Sequence, residues 1–253
     1  MKRKEAFDQQ TDFFSAEKID EIAVLSLKEK LFLQLTRLTK WDAKGKLFDY
    51  FDFVSNSDAI KVIIIECPYH AWHDDYFEFY SRSSDPGLDI TVFHRMFNAI
   101  NQFILSIVNS EKIVIHVAAG DVIPMLFSIN LACDYLIVSE KAVFRFAHLE
   151  LGLVPKGGVA FFLSKMVGLR KASKILLSGQ DIPAKEALSL GILDEVVPAD
   201  KLKERALSKA REFAQQAGRS LSGIKRLLNH TLGDPKASLD FESEILLRII
   251  TRS

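Results

Sequence analysis

His148, Ser128 and His116 are the side chains best placed in this sequence to move protons. An imidazole that titrates near neutral pH can both take and give a proton, so His148 is a candidate acid/base. Its alternative is a ring packed in a partly apolar wall between Ala147 and Leu149, hydrogen-bonded to backbone. Ser128 is too weak a base unaided, and the competing reading is a small residue chosen for close helix packing. His116 sits inside an apolar run and reads either as a base or as a satisfied buried polar group. His70, His73, Asp74 and Asp75 bring together the ligand types of a metal site. Their spacing specifies no third and fourth ligand, a polar surface loop explains them better, and no metal is expected.

The elements that must position these groups belong to an ordinary globule. At 253 residues the chain is near the upper size for one hydrophobic core. Lys plus Arg equals Asp plus Glu at 33 each. No global field therefore exists to draw nucleic acid or an anionic membrane, and an anionic ligand must be held locally. Cys67 and Cys133 are too few for a disulfide framework or a thiolate metal site, which fits a reduced cytoplasmic setting. Lys2, Arg3 and Lys4 read as a solvated terminus, no signal-peptide core follows them, and no apolar run reaches the ~20 residues of a membrane span.

Apolar patterning predicts strands at Ile22–Leu27 and Val62–Ile65, the second ended by Glu66, with a helix over Leu31–Val54 between them. The theme repeats with a helix over Thr91–Val108, a strand at Ile113–Ala118, a buried helix over Met125–Ala132 and a strand at Tyr135–Ser139. Such alternation argues for an α/β domain. After Val143–Phe146 the chain turns mostly helical, with helices over Ala184–Leu190, Asp200–Gln216, Leu221–Leu232 and Leu239–Ile250. Asp200 is placed to N-cap its helix and Pro183 to open one. Residues 1–18 read as a flexible N-terminus, and Ser81–Gly87 as a mobile loop. Phe clusters at 48–53, 77–79, 144–146 and 161–162 should fill the core or a subunit interface, or line an acyl pocket.

From Lys112 to Pro198 the sequence resembles the crotonase (enoyl-CoA hydratase/isomerase) superfamily. The residues that carry the likeness are Leu131-Ala-Cys-Asp134, Ala142-Val-Phe144, Leu151-Gly-Leu-Val-Pro155 with Gly157 and Gly158, Leu176-Leu-Ser-Gly179, Ala184-Lys-Glu-Ala187, and the run Leu190 to Pro198. Upstream the likeness rests on the first two strands, and the family's Asn-Arg-Pro segment is missing. The resemblance implies an α/β crotonase (ClpP/crotonase-like) fold: a spiral of ββα units over 1–198, and a C-terminal helical region over 199–253 that packs subunits into a homotrimer or dimer of trimers. It also implies an acyl-CoA ligand, or a related carbonyl compound, whose carbonyl oxygen is held by two backbone N–H groups. CoA would enter only as part of the substrate, with no separate cofactor.

The departures from the family pattern decide the mechanism. The family's Gly-Gly-Gly turn aligns with Pro124-Met-Leu126, which puts one oxyanion donor on Met125. A proline at the helix start still leaves that N–H free to face an anion, although lost glycine freedom can equally rotate it away. Aligning Trp72 with a family Phe puts the other donor on Tyr76, in a loop without glycine whose Asp74 and Asp75 repel a CoA phosphate or an enolate. Trp72, Phe127 and Pro155 are the substrate-lining positions. The two glutamates of the hydratases align with Ser128 and His148, and the acid of many isomerases aligns with Lys156. The family's β-diketone hydrolases are similar in carrying His four residues before the same glycine, here Gly152. Their partner Asp is missing, and the pair stays incomplete unless Asp121, Glu150 or another acid reaches in. Three functions remain open: a divergent hydratase- or isomerase-like enzyme (a lyase or isomerase), a catalytically degenerate binding or scaffold subunit, and a His-dependent hydrolase of a β-dicarbonyl compound.

Overall fold

The computed structural model describes residues 6–28, 31, 42–67, 90–146 and 148–251. A seven-stranded sheet runs in the order β1-β2-β3-β4-β5-β6-β9, with β1 Gln9–Gln10, β2 Phe14–Ile19, β3 Ile22–Leu27, β4 Val62–Cys67, β5 Ile113–Ala118, β6 Tyr135–Ser139 and β9 Glu195–Val197. The first three strands are antiparallel, and β3 to β9 pair in parallel. Parallel neighbours need crossovers. Helices α1 (Asp42–Ser55), α2 (Ile90–Asn109) and α3 (Pro124–Ala132) lie within the successive crossovers.

Between β6 and β9 the chain makes a long excursion. It holds a small antiparallel pair, β7 (Val143–Phe144) with β8 (Ile182–Pro183), and helices α4 (Val159–Val167), α5 (Leu169–Ser178) and α6 (Ala184–Leu190). A 3-10 turn at Ala199–Lys201 leads into α7 (Leu202–Ala214), α8 (Gly218–Leu232) and α9 (Pro235–Ile250).

Strand alternation sorts the core onto two faces. Ile22, Val24, Val62, Ile64, Ile113 and Ile115 pack under α7, where Ala206, Ala210 and Ala214 recur every four residues and let the helix approach the sheet closely. Ala23, Leu25, Ile63, Ile65 and Val114 face the larger core shared with α1, α2, α3 and α9. Both faces are covered, which explains why the central strands read as continuous apolar runs.

Several expectations shift. The stretch 1–18, read as a flexible terminus, contains β1 and nearly all of β2, because Phe14 and Ala16 bury on the large core and Asp20 takes a left-handed φ of 56° in the tight connection to β3. Glu66 does not end β4; it stays in the strand and accepts from Ser26 Oγ at 2.7 Å. Asp200 does not cap α7, since the chain enters through the 3-10 turn and no side chain bonds the first amides. Pro183 is the residue before α6 rather than inside it. Of the expected helix over 31–54, Leu31 and the stretch from Asp42 are described and helical, and the loop 81–87 lies outside the described residues. Phe51, Phe144, Phe146 and Phe162 are core; Phe77 and Phe79 lie outside the described residues.

Candidate active site

The C-terminal ends of parallel strands are where α/β sheets place ligands. Just beyond the end of β5, residues 119–123 are tied to β7 by Val122 N–H donating to Val143 O at 2.8 Å and by Arg145 N–H donating to Val122 O at 2.9 Å. That tether fixes where α3 begins. Ile123 is extended (φ −72°, ψ 160°), Pro124 is the first helical residue and Met125 the second. The N–H of a second helical residue has no carbonyl within its own helix, and Ile123 supplies no side-chain cap. The helix dipole adds partial positive charge there. Proline therefore opens the helix at a position where its missing N–H costs nothing. The other proposed donor, Tyr76, and Trp72 lie outside the described residues, as do His70, His73, Asp74 and Asp75. Among the described residues, no group of three His, Cys, Asp or Glu side chains is arranged to hold a metal ion.

Ser128 lies one helical turn after Met125 and is fully buried. Its hydroxyl donates to the Lys156 carbonyl at 2.6 Å. Gly157, at φ 90°, lies so close that a Cβ there would stand 2.1 Å from Ser128 Oγ. Ser128 is thus a spacer-sized residue under a glycine turn, held by the backbone it touches.

Lys156 points away from Ser128 into a buried polar cluster. Its ammonium donates to Asn101 Oδ1 on α2 at 2.5 Å and to Glu242 Oε1 on α9 at 3.0 Å, and it stands 5.3 Å from the centre of the Phe97 ring. Glu242 also accepts from the Gly157 N–H through Oε1 and from the Gly158 N–H at 2.9 Å through Oε2. Asn101 Nδ2 donates to Leu239 O at 3.3 Å and Ser243 Oγ at 3.2 Å, tying α2 to α9. Burial pushes the Lys156 pKa down and the Glu242 pKa up, and the attraction between the two opposes burial in both cases.

His148 is buried with its ring edge-on to Phe146. A carbonyl only accepts, so the 3.0 Å contact between Nε2 and Leu176 O fixes the proton on Nε2 and leaves a lone pair on Nδ1. Nδ1 is buried and has no hydrogen-bond partner among the described residues. Burial lowers the pKa, so the ring is neutral at pH 7. Among the described residues no carboxylate is bonded to it: Asp121 accepts from Arg145 Nε and Nη2 at 2.9 and 2.7 Å, and Glu150 is exposed. Phe127 is core rather than open wall, edge-on to Phe144 and Phe146. Pro155 is half-buried in the turn that leads to Lys156.

His116 is wholly buried in β5, with Nε2 at 3.4 Å from Cys67 Sγ and Nδ1 unpartnered among the described residues. Asp134, in the Leu131-Ala-Cys-Asp134 motif, accepts from Val114 N–H and from Lys225 Nζ, both near 2.8 Å. Lys225 also donates to the carbonyls of Ile107 and Lys112, so that motif anchors α8 rather than serving chemistry.

Sequence reasoning missed Glu242 and Asn101. Lys156 carried one signal, a charge immediately before two glycines where the chain is otherwise apolar, but its partner lies 86 residues away. An acid-lined cavity of about 710 Å³ between α1 and the end of α2, bordered by Asp49, Asp52, Asp58 and Glu111, has the wrong sign for a polyphosphate.

The family model described as enoyl-CoA hydratase/isomerase matches residues 89–251. Ethylmalonyl-CoA decarboxylase of Rattus norvegicus is 41% identical over 86 residues, which cover 34% of this chain and 28% of that protein. The 2,3-dehydroadipyl-CoA hydratase of Escherichia coli (strain K12) is 34% identical over 101 residues, 40% of each chain. Less than half the length of either relative is therefore matched. A short-chain-enoyl-CoA hydratase of Clostridioides difficile is 32% identical over 140 residues, 54% of this chain and 88% of that one. In three dimensions, an enoyl-CoA hydratase from Bacillus halodurans superposes with a TM-score of 0.79 at 21% identity, covering 94% of this chain and 95% of the other. The architecture is the crotonase fold, and with a family match over more than half of its residues this chain belongs to the enoyl-CoA hydratase/isomerase family.

Proposed function

We propose that this chain binds and processes an acyl-CoA thioester, holding the thioester oxygen on backbone N–H groups of which Met125 supplies one and Tyr76 the second. The observation that supports this reading is the uncapped start of α3, where Pro124 opens the helix and the Met125 amide lacks an internal acceptor. Preorganised amides of this kind stabilise an enolate because they need no reorganisation as charge develops. His148 is the acid/base of the reading. The Leu176 carbonyl holds its tautomer, as a carboxylate does in catalytic dyads, and leaves Nδ1 as the proton acceptor. CoA enters as part of the substrate, and no separate cofactor or metal is needed. Assembly into a trimer or dimer of trimers accompanies the reading, supported by exposed Ile224, Leu227 and Leu228 on α8.

A second reading, a catalytically degenerate binding or scaffold subunit, is favoured by one observation: the Ser128 hydroxyl is committed to the Lys156 carbonyl. Hydrolysis of a β-dicarbonyl compound is not favoured, because Asp121 is held by Arg145 and Glu150 is exposed. Calorimetric titration with butyryl- and crotonyl-CoA, followed by turnover assays of wild type and His148→Ala, separates these. Binding with turnover that is lost in the variant supports the enzyme. Binding without turnover selects the scaffold, and no binding at high micromolar ligand removes the acyl-CoA reading.

A further inference from the structure

We propose that Glu242, on the C-terminal helix, is a positioning residue for the Met125 amide; the inference rests on the acyl-CoA reading above. The connection runs through named contacts. Glu242 accepts from the Gly157 and Gly158 N–H groups and from Lys156 Nζ. These hold a turn in which Gly157 and Gly158 both adopt left-handed φ, 90° and 78°. The same turn presents the Lys156 carbonyl to Ser128 Oγ at 2.6 Å and presses the Gly157 α-carbon against the Ser128 side chain. Ser128 is three residues after Met125, on the same face of the first turns of α3. The direction of the Met125 N–H follows the helix axis, so whatever pins Ser128 aims that amide.

Glu242 is not itself placed to meet a substrate. One carboxylate oxygen takes two donors and the other takes one, and the group is largely buried. Asn101 closes the circuit by accepting from Lys156 and donating to Leu239 O and Ser243 Oγ on α9, so the α9 dock is built around this one turn. The C-terminal helix thereby becomes part of the site that it never enters. A loose C-terminal helix would leave α3 free to tilt, and its first amides to aim elsewhere.

The test separates thioester recognition from simple folding. The carbonyl of [1-13C]butyryl-CoA is polarised only if an oxyanion donor meets it, whereas free CoA has no such oxygen. In wild type we expect the 13C resonance to move downfield on binding. Glu242→Gln keeps one acceptor oxygen for the turn, and in it we expect a smaller shift. Glu242→Leu removes all acceptors; here the downfield shift should vanish and butyryl-CoA should bind about tenfold more weakly, with CoA affinity unchanged. Equal loss for CoA and butyryl-CoA in both variants, or a wild-type 13C shift in both, overturns the positioning role while leaving acyl-CoA binding intact. If Glu242→Leu does not fold, Glu242→Gln decides by the same two readings. A wild-type protein that binds butyryl-CoA with no 13C shift, or binds none, overturns the inference, and the latter outcome removes the functional reading as well.

Discussion

Replacing His116 by Ala should remove a large part of the protein's acid sensitivity. His116 is wholly buried in β5, and burial pushes its pKa from 6.5 down to about 3. The folded protein therefore keeps the ring neutral across a range in which the unfolded chain protonates it. A group with a depressed folded pKa of this kind, when its charged form is the protonated one, destabilises as pH falls: the cost begins near 6.5 and grows until about 3. At pH 5 the unfolded state gains about 1.5 pKa units of protonation free energy that the folded state cannot match, or about 2 kcal/mol; at pH 7 the difference is about 0.2 kcal/mol. Urea denaturation of wild type and His116→Ala at pH 7 and pH 5 gives four stabilities. The variant will be less stable at pH 7, because a cavity is left and Cys67 Sγ loses its contact. That constant cost cancels in the double difference, which should show wild type losing about 2 kcal/mol more than the variant between the two pH values. A double difference near zero would mean that the ring is protonated or hydrated in the folded state, and would refute the burial argument. His148, also lowered by burial, adds to the wild-type acid sensitivity in the same direction and is present in both proteins.

Two further perturbations test the framework around the site. Gly157→Ala puts a Cβ 2.1 Å from Ser128 Oγ at a φ of 90°, so it should cost about 2–5 kcal/mol by thermal melting, and adding Ser128→Gly should recover the steric part but not the backbone part. Full recovery would show that the left-handed backbone carries no cost. Lys225→Met leaves Asp134 buried beside two carbonyls that have lost their donor, and should cost about 3–5 kcal/mol in chemical denaturation; a change below about 1 kcal/mol would show that Asp134 simply takes up a proton.

The parallel core was legible because its strands bury both faces. Ile22–Leu27, Ile113–Ala118 and Tyr135–Ser139 carry that apolar signature broken only by Ser26, His116 and Ser139, and the boundaries read from sequence coincide with those observed. Asp234 before Pro235 also carried a start signal for α9, which the sequence reading placed four residues late, and its carboxylate does accept from Ala237 N–H. The edge strand β1 and its neighbour β2 escaped because charged and Gln residues are admissible near a sheet edge with one wet face.

The sequence by itself determined the residue types available for chemistry: the resemblance to the family implies glutamates at 128 and 148, and this chain has Ser and His there. The helix read over Met125–Ala132 begins one residue earlier, at Pro124, a first-turn position that suits proline because it fixes its own φ and has no N–H to leave unpaired. Only the tertiary structure decided what the remaining groups do. It turned Ser128 toward a carbonyl, fixed the tautomer of His148 through Leu176, and brought Glu242 to Lys156 across 86 positions of chain. A hydrogen bond depends on distance in space, and local periodicity carries no information about which distant helix will close on a turn.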